Sequence, residues 1–311
     1  MKILFMGTPE FAVESLRKIH TSHYEIAAVI TAPDRPAGRG KKLQSSAIKK
    51  YAIANGLQVL QPTNLKDPEF IKTIKIINAE LFVVVAFRML PEVVWSIPKK
   101  GTINLHASLL PNYRGAAPIN WAIINGEKQT GVTTFFIEKE IDTGKIIHQK
   151  KVEIFEQDTA GTIHDKLMYE GANLLVQTIG SLSIGKNPSI DQQSMIDHEL
   201  KKAPKINKQT GRIQWDKPKK VVNNLIRGLS PYPGAWTNIE IDNKQFLFKI
   251  YNASCVEGSS KPGFITINNN QLLIGCSDGY LKLAEIQLEG KKRMLAKEFV
   301  KGARITNFRC L

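Results

Sequence analysis

The chain has 311 residues, of which 42% are hydrophobic and 23% are charged, and its formal net charge is +15. This length and apolar content are enough to bury a core in each of two domains of ordinary size. The longest apolar run, Leu81–Phe87, is far shorter than the roughly 18 residues that a membrane-spanning helix needs. Together with an ordinary share of glycine and proline, this excludes collagen-like, mucin-like and membrane-spanning proteins.

The cysteines and the first residues of the chain indicate a cellular compartment. Cys255, Cys276 and Cys310 are odd in number, widely spaced and without a C-x-x-C pair, which fits neither a disulfide framework nor a zinc site. The start, MKILFMGTPEF, lacks the long apolar region and the small-residue cleavage site of a secretory signal. We therefore expect a protein of the reducing cytoplasm, without a disulfide framework or a zinc site.

The positive charge is concentrated in the last third of the chain. From Ala203 onward there are 18 Lys and Arg residues against 8 Asp and Glu residues, so this region carries +10 of the total charge of +15. A basic region of this kind attracts polyanions, and nucleic acid or an anionic membrane surface becomes a candidate partner. The alternative is a lysine-rich surface that serves only solubility.

The N-terminal part alternates apolar strand patterns with helical patterns. The predicted strands are Lys2–Met6, Tyr24–Thr31, Leu81–Ala86, Thr102–His106 and Val132–Ile137. After the first strand, Thr8 is predicted to cap a helix that has Pro9 at its first position. Fully apolar strands separated by helices indicate a doubly wound, mostly parallel, Rossmann-like α/β sheet, in which ligand sites lie at the carboxyl ends of the strands.

The turn after the first strand argues against two common ligands. Gly7-Thr8-Pro9 lacks the G-x-G-x-x-G pattern that lets the backbone approach a pyrophosphate, and the chain has no G-x-x-x-x-G-K-[ST] sequence. We therefore expect neither a dinucleotide site nor a P-loop.

The C-terminal part has a different pattern. A long helix is predicted from Ala160 to about Ile179, and the polar stretch beyond it is predicted as a linker. One helix near Pro218–Arg227 then precedes short alternating strands, predicted over Trp236–Ile241, Gln245–Tyr251, Gly263–Ile267, Gln271–Cys276 and Tyr280–Ile286. About five such strands predict a small OB-like β-barrel. The expected boundaries are 1–189 for the α/β domain, 190–204 for the linker and 205–311 for the basic barrel.

The segment Gly101–Pro118, GTINLHASLLPNYRGAAP, carries the densest chemistry. If Thr102–His106 is a strand, its alternation places Asn104 and His106 on one face, at the carboxyl end where sites of this architecture form. For either residue alone, a buried and merely hydrogen-bonded polar side chain is the alternative.

A carboxylate follows in the sequence Ile141-Asp142-Thr143-Gly144, a loop after the strand Val132–Ile137. Asp142 brought against His106 would fix the tautomer of the imidazole and favour its protonated form. No Ser or Cys lies in a nucleophile-elbow motif, so a covalent acyl-enzyme is not expected.

The order N-x-H, SLLPNYRG and DTG resembles the folate-dependent formyltransferases, in which the Asn, His and Asp form the catalytic set. The likeness extends to MGTPEF at the start, PDRPAGRGKK at Pro33–Lys42, VVVA at Val83–Ala86 and LSPYPGAW at Leu229–Trp236. Within that family the chain resembles the branch that formylates methionyl-tRNA and carries a basic C-terminal barrel.

This resemblance implies a formyl transfer from 10-formyltetrahydrofolate to the α-amine of initiator methionyl-tRNA. The expected protein is a monomer that needs no metal and has no membrane partner. It assigns catalysis to Asn104, His106 and Asp142. It assigns folate binding to the loop Ser108, Leu109, Leu110 and Pro111.

The resemblance also assigns the basic residues to tRNA binding. The loop at Pro33–Lys42 resembles the insertion that enters the end of the tRNA acceptor stem, with Arg39 at the position of the family's key arginine. Its alternative interpretation is a solvated surface loop. The residues assigned to tRNA are Arg35, Arg39, Lys41, Lys42, Lys217, Lys219 and Lys220, with Lys291, Lys292 and Arg293 as further candidates on the barrel.

One dipeptide departs from the family pattern. Phe87-Arg88 stands where the family commonly has Tyr-Gly.

The same catalytic set could serve a formyltransferase acting on an amino-sugar nucleotide or a glycinamide ribonucleotide, or a hydrolase of formyltetrahydrofolate. A noncatalytic RNA-binding protein could retain the fold. The tryptophans, Trp236 among them, are interpreted as packing residues rather than as stacking platforms.

Overall fold

The computed structural model describes residues 1–37, 42–186, 188–197, 199–241, 243–302 and 308–310. The first part of the chain contains β1 (Lys2–Gly7), α1 (Glu10–His20), β2 (Glu25–Ile30), β3 (Arg35–Ala37), β4 (Lys42–Gln44), α2 (Ala47–Ala54), β5 (Val59–Leu60), α3 (Pro68–Ile77), β6 (Leu81–Val85), α4 (Glu92–Trp95), β7 (Thr102–His106), β8 (Arg114–Gly115), α5 (Pro118–Ile124), β9 (Gln129–Phe136), β10 (Ile146–Glu153) and α6 (Ala160–Ser183). The remainder contains β11 (Lys202–Ala203), α7 (Lys219–Gly228), β12 (Ala235–Ile241), β13 (Lys244–Val256), β14 (Ile265–Asn268), β15 (Gln271–Cys276), β16 (Gly279–Leu288), β17 (Met294–Leu295), α8 (Ala296–Gly302) and β18 (Phe308–Cys310), with 3-10 turns at Gln192–Met195 and Gln209–Gly211.

The N-terminal sheet is mixed and mostly parallel, as the strand pattern predicts. Its order is β10-β9-β7-β6-β1-β2-β5. The pairs β1–β2, β2–β5, β1–β6 and β6–β7 are parallel, whereas β9 runs antiparallel to β7. The chain proceeds outward from β1 to β2 and β5 and then returns to β6 on the other side of β1. The carboxyl ends of β1 and β6 therefore form the switch point at which ligands bind in such sheets.

Strand burial explains why these segments form the sheet centre. Every residue of β6 is buried, which is the pattern of a parallel strand covered on both faces. Helix α6 packs closely against the sheet at Gly171, where an added Cβ would lie 2.8 Å from Leu105 Cδ2. Because Leu105 faces α6, its neighbours Asn104 and His106 project from the opposite face of β7.

The start of α1 differs from the prediction. The helix begins at Glu10, and Pro9 rather than Thr8 occupies the N-cap position, without a side-chain capping bond. Proline has no backbone N–H to leave unsatisfied, so the helix starts there without help from a threonine hydroxyl.

The C-terminal part is an antiparallel sheet in the order β14-β15-β16-β13-β12-β18, with β17 paired to β16. The five predicted strands are confirmed, and β17 and β18 were not predicted. Phe248, Ile226, Ile250 and Leu281 belong to its buried core. The end strands β14 and β18 are not paired in the described residues, although Cys310 N–H donates to Gly263 O at 3.3 Å. The coarser expectation of an antiparallel β domain is therefore confirmed, and closure into a barrel is not.

The backbone contacts divide the chain into two compact units. The N-terminal unit comprises Met1–Gly115, Thr130–Val152 and His164–Lys202. The C-terminal unit comprises Ala116–Gln129, Glu153–Ile163 and Ala203–Leu311. The units interleave along the chain, whereas the sequence suggested contiguous domains, and those predicted boundaries stay a prediction. None of the helices in the described ranges combines the length and the apolar character that crossing a membrane requires.

A buried polar cluster on β9, β10 and α6 gives the N-terminal unit a pH dependence. The Thr178 hydroxyl lies 2.8 Å from Thr134 Oγ1 and 3.1 Å from His148 Nδ1. Burial lowers the pKa of His148 below its ordinary value of 6.5. The unfolded chain therefore takes up a proton at this residue more readily than the folded chain does.

We expect the free energy of unfolding to fall as the pH drops below about 6.5. The loss continues until the folded-state pKa of His148 has been passed. His148→Asn removes this proton uptake, so urea denaturation should show a smaller difference between pH 7 and pH 5 for the variant. The same substitution at the exposed His23 controls for the loss of a histidine. Equal pH dependence in wild type and His148→Asn would contradict the prediction.

Candidate active site

Strand β7 presents two of the predicted catalytic residues at the carboxyl edge of the sheet. Asn104 is half-buried, and His106, at the last position of the strand, is 6% exposed. Asn104 lies opposite Phe135 on the antiparallel strand β9, and the Phe135 ring meets the His106 ring edge-on with centroids 6.5 Å apart. The aromatic neighbour limits the space in which the imidazole can rotate.

The two ring nitrogens of His106 have different partners. Nε2 lies 2.9 Å from the carbonyl oxygen of Tyr113, and because a carbonyl can only accept, Nε2 carries the hydrogen and donates. Nδ1 lies 3.9 Å from Asp142 Oδ2, beyond direct hydrogen-bond distance. Nδ1 is therefore the ring nitrogen that can exchange a proton with a substrate or a water molecule.

Asp142 reaches this position through an unusual backbone conformation. Its φ is +56°, in the left-handed region that Asp tolerates better than most residues. Its Oδ2 accepts a hydrogen bond from the backbone N–H of Gly115 at 2.9 Å. The following Gly144 has no room for a side chain, since a Cβ would lie 1.8 Å from the carbonyl oxygen of Phe136. Steric crowding therefore explains why the third residue of the D-T-G sequence is glycine.

Gln192 holds the loop that carries Asp142 through hydrogen bonds to its backbone. The sequence interpretation did not identify this residue. It is fully buried, and its Nε2 donates to the carbonyl oxygens of Asp142 at 3.0 Å and Gly144 at 2.7 Å. Its Oε1 accepts from Arg114 Nε at 3.0 Å and Nη2 at 2.6 Å. Gln192 therefore uses both ends of its amide to join the Asp142 loop to the segment that follows the SLLPNY sequence.

Hydrogen bonds within the loop and from strands β9 and β10 hold the loop that is predicted to bind folate. Ser108 is fully buried, and its Oγ donates to Asn112 O at 2.7 Å. Thr133 Oγ1 donates to Ser108 O at 2.7 Å, and Gln149 Nε2 donates to Leu110 O at 2.8 Å. Among the four predicted folate residues, Ser108, Leu110 and Pro111 are buried and Leu109 is half-buried. Their assignment to folate stays a prediction.

The Phe87-Arg88 departure lies directly after β6 at the same sheet edge. Arg88 Nη1 donates to Thr63 O at 2.9 Å and Nη2 donates to Pro62 O, while the guanidinium lies 5.6 Å from the Phe87 ring centroid. Burial lowers the pKa of Arg88, and the nearby charge of Arg35 lowers it further. Arg88 thus fastens the 62–63 segment to the end of β6.

The predicted tRNA-binding residues differ in their exposure and in their contacts, and some of them lie outside the described residues. Arg35 is exposed on β3, which pairs with β4, whereas Arg39 and Lys41 lie outside the described residues, as does the side chain of Lys42. Lys217 and Lys220 are exposed. Lys219 is committed to an ion pair, since its Nζ lies 3.0 Å from Glu257 Oε2, and this hydrogen bond raises the pKa of Lys219.

The further candidates on the C-terminal sheet also differ from one another. Lys291 and Lys292 are exposed. Arg293 donates from Nη2 to Glu285 Oε2 at 2.6 Å and lies 4.0 Å from the Tyr251 ring centroid. Arg293 thus already serves a contact within the sheet.

The three residues predicted to be catalytic are Asn104, His106 and Asp142. Within the described ranges, no cluster of three or more His, Cys, Asp or Glu side chains is arranged to hold a metal ion. The site combines an amide side chain, an imidazole with one nitrogen free to exchange protons and a fixed carboxylate. Such a set can donate hydrogen bonds to a developing oxyanion and move a proton.

The chain belongs to the formyl transferase family. Residues 1–179 match the family described as formyl transferase, and residues 205–304 match the formyl transferase C-terminal domain. The family resemblance drawn from the N-x-H, SLLPNYRG and DTG sequences is thereby confirmed.

Relatives of the full chain carry a more specific name. The methionyl-tRNA formyltransferase of Flavobacterium johnsoniae is 49% identical over 304 residues, covering 97% of this chain and 96% of the relative. That of Parabacteroides distasonis is 50% identical over 309 residues, covering 97% and 95%. Among solved structures, the sugar 3N-formyl transferase WlaRD is similar with a TM-score of 0.68 and 22% identity, covering 94% of this chain and 99% of that one. At this identity the likeness concerns the fold.

We expect Gln192→Ala to lower the turnover number for formyl transfer by about 10- to 100-fold, because small displacements of catalytic groups cost rates of this order. Two buried carbonyl oxygens would lose their donor, so the free energy of unfolding should also fall by about 1–3 kcal/mol. Steady-state kinetics and urea denaturation measure the two effects.

Gln193→Ala is the matched control, since Gln193 is the next residue and is exposed. It should alter neither quantity. A Gln192→Ala protein of reduced stability but wild-type turnover would show that Gln192 supports the fold without positioning Asp142.

Proposed function

We propose that this protein transfers the formyl group of 10-formyltetrahydrofolate to the α-amine of initiator methionyl-tRNA, as a cytoplasmic monomer. Two observations carry the proposal: Asn104 and His106 lie on one face of β7, and Asp142 Oδ2 lies 3.9 Å from His106 Nδ1. Full-length relatives near 50% identity that bear the name methionyl-tRNA formyltransferase support this acceptor.

The reaction is an acyl transfer that requires no change in oxidation state. The amine nitrogen attacks the formyl carbon, and the electrons of the C=O bond move to the oxygen. The tetrahedral intermediate then collapses, the C=O bond re-forms, and the bond between the formyl carbon and N10 of the folate breaks. The attacking amine loses one proton, and N10 gains one.

Asn104 is assigned to the developing oxyanion. Its side-chain amide is a neutral donor that needs no proton transfer to act, and it stands half-buried at the sheet edge, where a hydrogen bond is stronger than in bulk water. Donors of this kind accelerate the reaction because they stabilise the charge of the transition state more than the neutral ground state.

His106 and Asp142 are assigned to the proton. Because His106 Nε2 is bound to the Tyr113 carbonyl, its Nδ1 is the position that can take or return a proton. The 3.9 Å between Nδ1 and Asp142 Oδ2 allows a small movement of the ring, or a bridging water, to connect the pair. The carboxylate would stabilise the imidazolium that forms when the amine is deprotonated.

The loop 108–111 is assigned to folate. Because three of its four side chains are buried, contact would come from backbone groups and from the half-buried Leu109. The bracing of this loop by Thr133 and Gln149 would hold those groups ready before the ligand arrives. WlaRD, which shares the fold, was solved in the presence of 5-N-formyl-THF, and this supports a folate site in the architecture.

The tRNA is assigned to the basic residues named above, with 1–189 as the catalytic domain, 190–204 as the linker and 205–311 as an OB-like tRNA-binding domain. The matched ranges 1–179 and 205–304 support these boundaries. The hydrogen bond from Cys310 to Gly263 supports closure of the sheet, because it joins residues at or beside the two end strands.

We expect Asn104→Ala to lower kcat by about 10²- to 10³-fold, equivalent to about 2.7–4 kcal/mol of transition-state stabilisation. Asn104→Asp is the closest isostere, and it should be at least as impaired, since it replaces the donor with a charge that repels the oxyanion. Formation of formyl-methionyl-tRNA in single-turnover conditions measures both. A loss of less than tenfold in Asn104→Ala would remove Asn104 from this role.

We expect the KM for methionyl-tRNA to rise at least tenfold between 50 and 200 mM salt, the loss produced by about two or more phosphate contacts. Lys217→Ala and Lys220→Ala should each make the logarithmic salt dependence shallower. A KM for tRNA that does not respond to salt would contradict a basic binding face.

A further inference from the structure

A cleft of about 530 Å³ lies within the C-terminal unit and has no role in the reaction described above. Its volume falls in the range of about 300–1,000 Å³ that is typical of sites for small organic groups. The side chains that define its chemistry are Lys205, Lys208, Tyr232, Trp236, Leu247 and Lys249.

Tyr232 presents a ring that the described residues leave largely uncovered. It is 83% exposed, although it lies in a turn whose backbone is well fixed. The turn is anchored by the bond from Gly234 N–H to Leu229 O at 2.9 Å and by the bond from Lys249 Nζ to Pro233 O at 2.9 Å. The prolines on both sides of Tyr232 restrict its backbone further. The exposed ring is therefore held in position rather than carried on a free loop.

Trp236 forms a second aromatic surface of the cleft. Its indole N–H donates to the carbonyl oxygen of Lys208 at 2.8 Å, which fixes the orientation of the ring. Lys208 Nζ lies 5.4 Å from the ring centroid, and Arg212 Cζ lies 6.0 Å from it. Trp236 therefore offers the cleft a half-buried ring with two cations beside it, and its interpretation as a packing residue stays a prediction.

The charge of the cleft is positive and uncompensated. Neither Asp nor Glu is among the described residues that line it. Within the described part of the chain, Lys205, Lys208 and Lys249 form no ion pair with a carboxylate. Lysines without acidic partners beside a cleft favour an anionic ligand.

Aromatic faces and lysines without carboxylate partners in one cleft match the base and the phosphate of a nucleotide. An unpaired base stacks on an aromatic ring, and its phosphate pairs with lysine, without any need for base-specific hydrogen bonds. An acidic peptide would satisfy the lysines but leave the Tyr232 face uncovered. The surface of an anionic membrane offers no flat group that would enter the cleft.

We propose that this cleft binds an unpaired nucleotide of the tRNA substrate, whose base stacks on Tyr232 while Lys205, Lys208 and Lys249 hold its phosphates. The inference rests on the proposed tRNA substrate and adds a stacking subsite to it. The basic residues Lys217 and Lys220 lie outside the residues that line this cleft.

The test compares Tyr232→Ala with Tyr232→Phe in the full-length protein. The measured quantities are the Kd of methionyl-tRNA and the Kd of a single-stranded oligoadenylate, both at one fixed salt concentration. Loss of one stacked base predicts that Tyr232→Ala raises both Kd values by about 5- to 100-fold, whereas Tyr232→Phe retains the wild-type values. Tyr169→Ala, at a tyrosine that is 53% exposed on α6, is the matched control and should bind both RNAs normally.

Three results would overturn the stacking subsite. Wild-type RNA affinity in Tyr232→Ala would show that the ring does not bind RNA. A Tyr232→Phe protein as weak as Tyr232→Ala would assign the effect to the hydroxyl. Binding of polyglutamate or phosphatidylserine vesicles that depends on Tyr232, without an effect on RNA, would assign the cleft to another partner. Because RNA binding is measured without turnover, failure of the formyl-transfer assay would leave this test intact.

Discussion

The position of the Asp142 carboxylate is the constraint on which the active site depends. Its left-handed backbone turns the side chain toward Gly115 N–H, and the same oxygen lies 3.9 Å from His106 Nδ1. The neighbouring Gly144 makes this path possible because any side chain there would collide with the backbone of β9. The chemistry of the site therefore follows from a steric fit in the chain as much as from the three polar residues.

The parallel strands and the positions of Asn104 and His106 on β7 could be predicted because their signals are local. The apolar run of β6 and the alternation in β7 determine where Asn104 and His106 stand, and the sequence shows both directly. Gln192 could not be predicted, because it lies in a polar stretch that indicated a linker, and its burial comes from contacts with residues about 50 and 78 positions away. The Thr8 cap was wrong for a different reason, since α1 begins one residue later than predicted and Pro9 occupies the N-cap position.

In the C-terminal unit, too, features with a local sequence signal could be predicted, and features that depend on long-range contacts could not. Alternating apolar residues predicted its five main strands, but β18 pairs with β12 across about 70 residues of sequence and had no local signal. The net charge of this region predicted a basic surface. It could not show that Lys219 forms an ion pair whereas Lys217 and Lys220 are exposed. Binding residues on a surface are defined by which charges remain unpaired, and pairing is a property of the fold.

The most direct test of the account is a competition between acceptor amines. The protein is incubated with labelled 10-formyltetrahydrofolate, methionyl-tRNA and a nucleotide-linked amino sugar in one mixture, and the label on each acceptor is measured over time. We expect label on methionyl-tRNA, and we expect His106→Ala to abolish it. Label on the amino sugar alone, or release of free formate without transfer, would contradict it while leaving the formyl transferase fold in place.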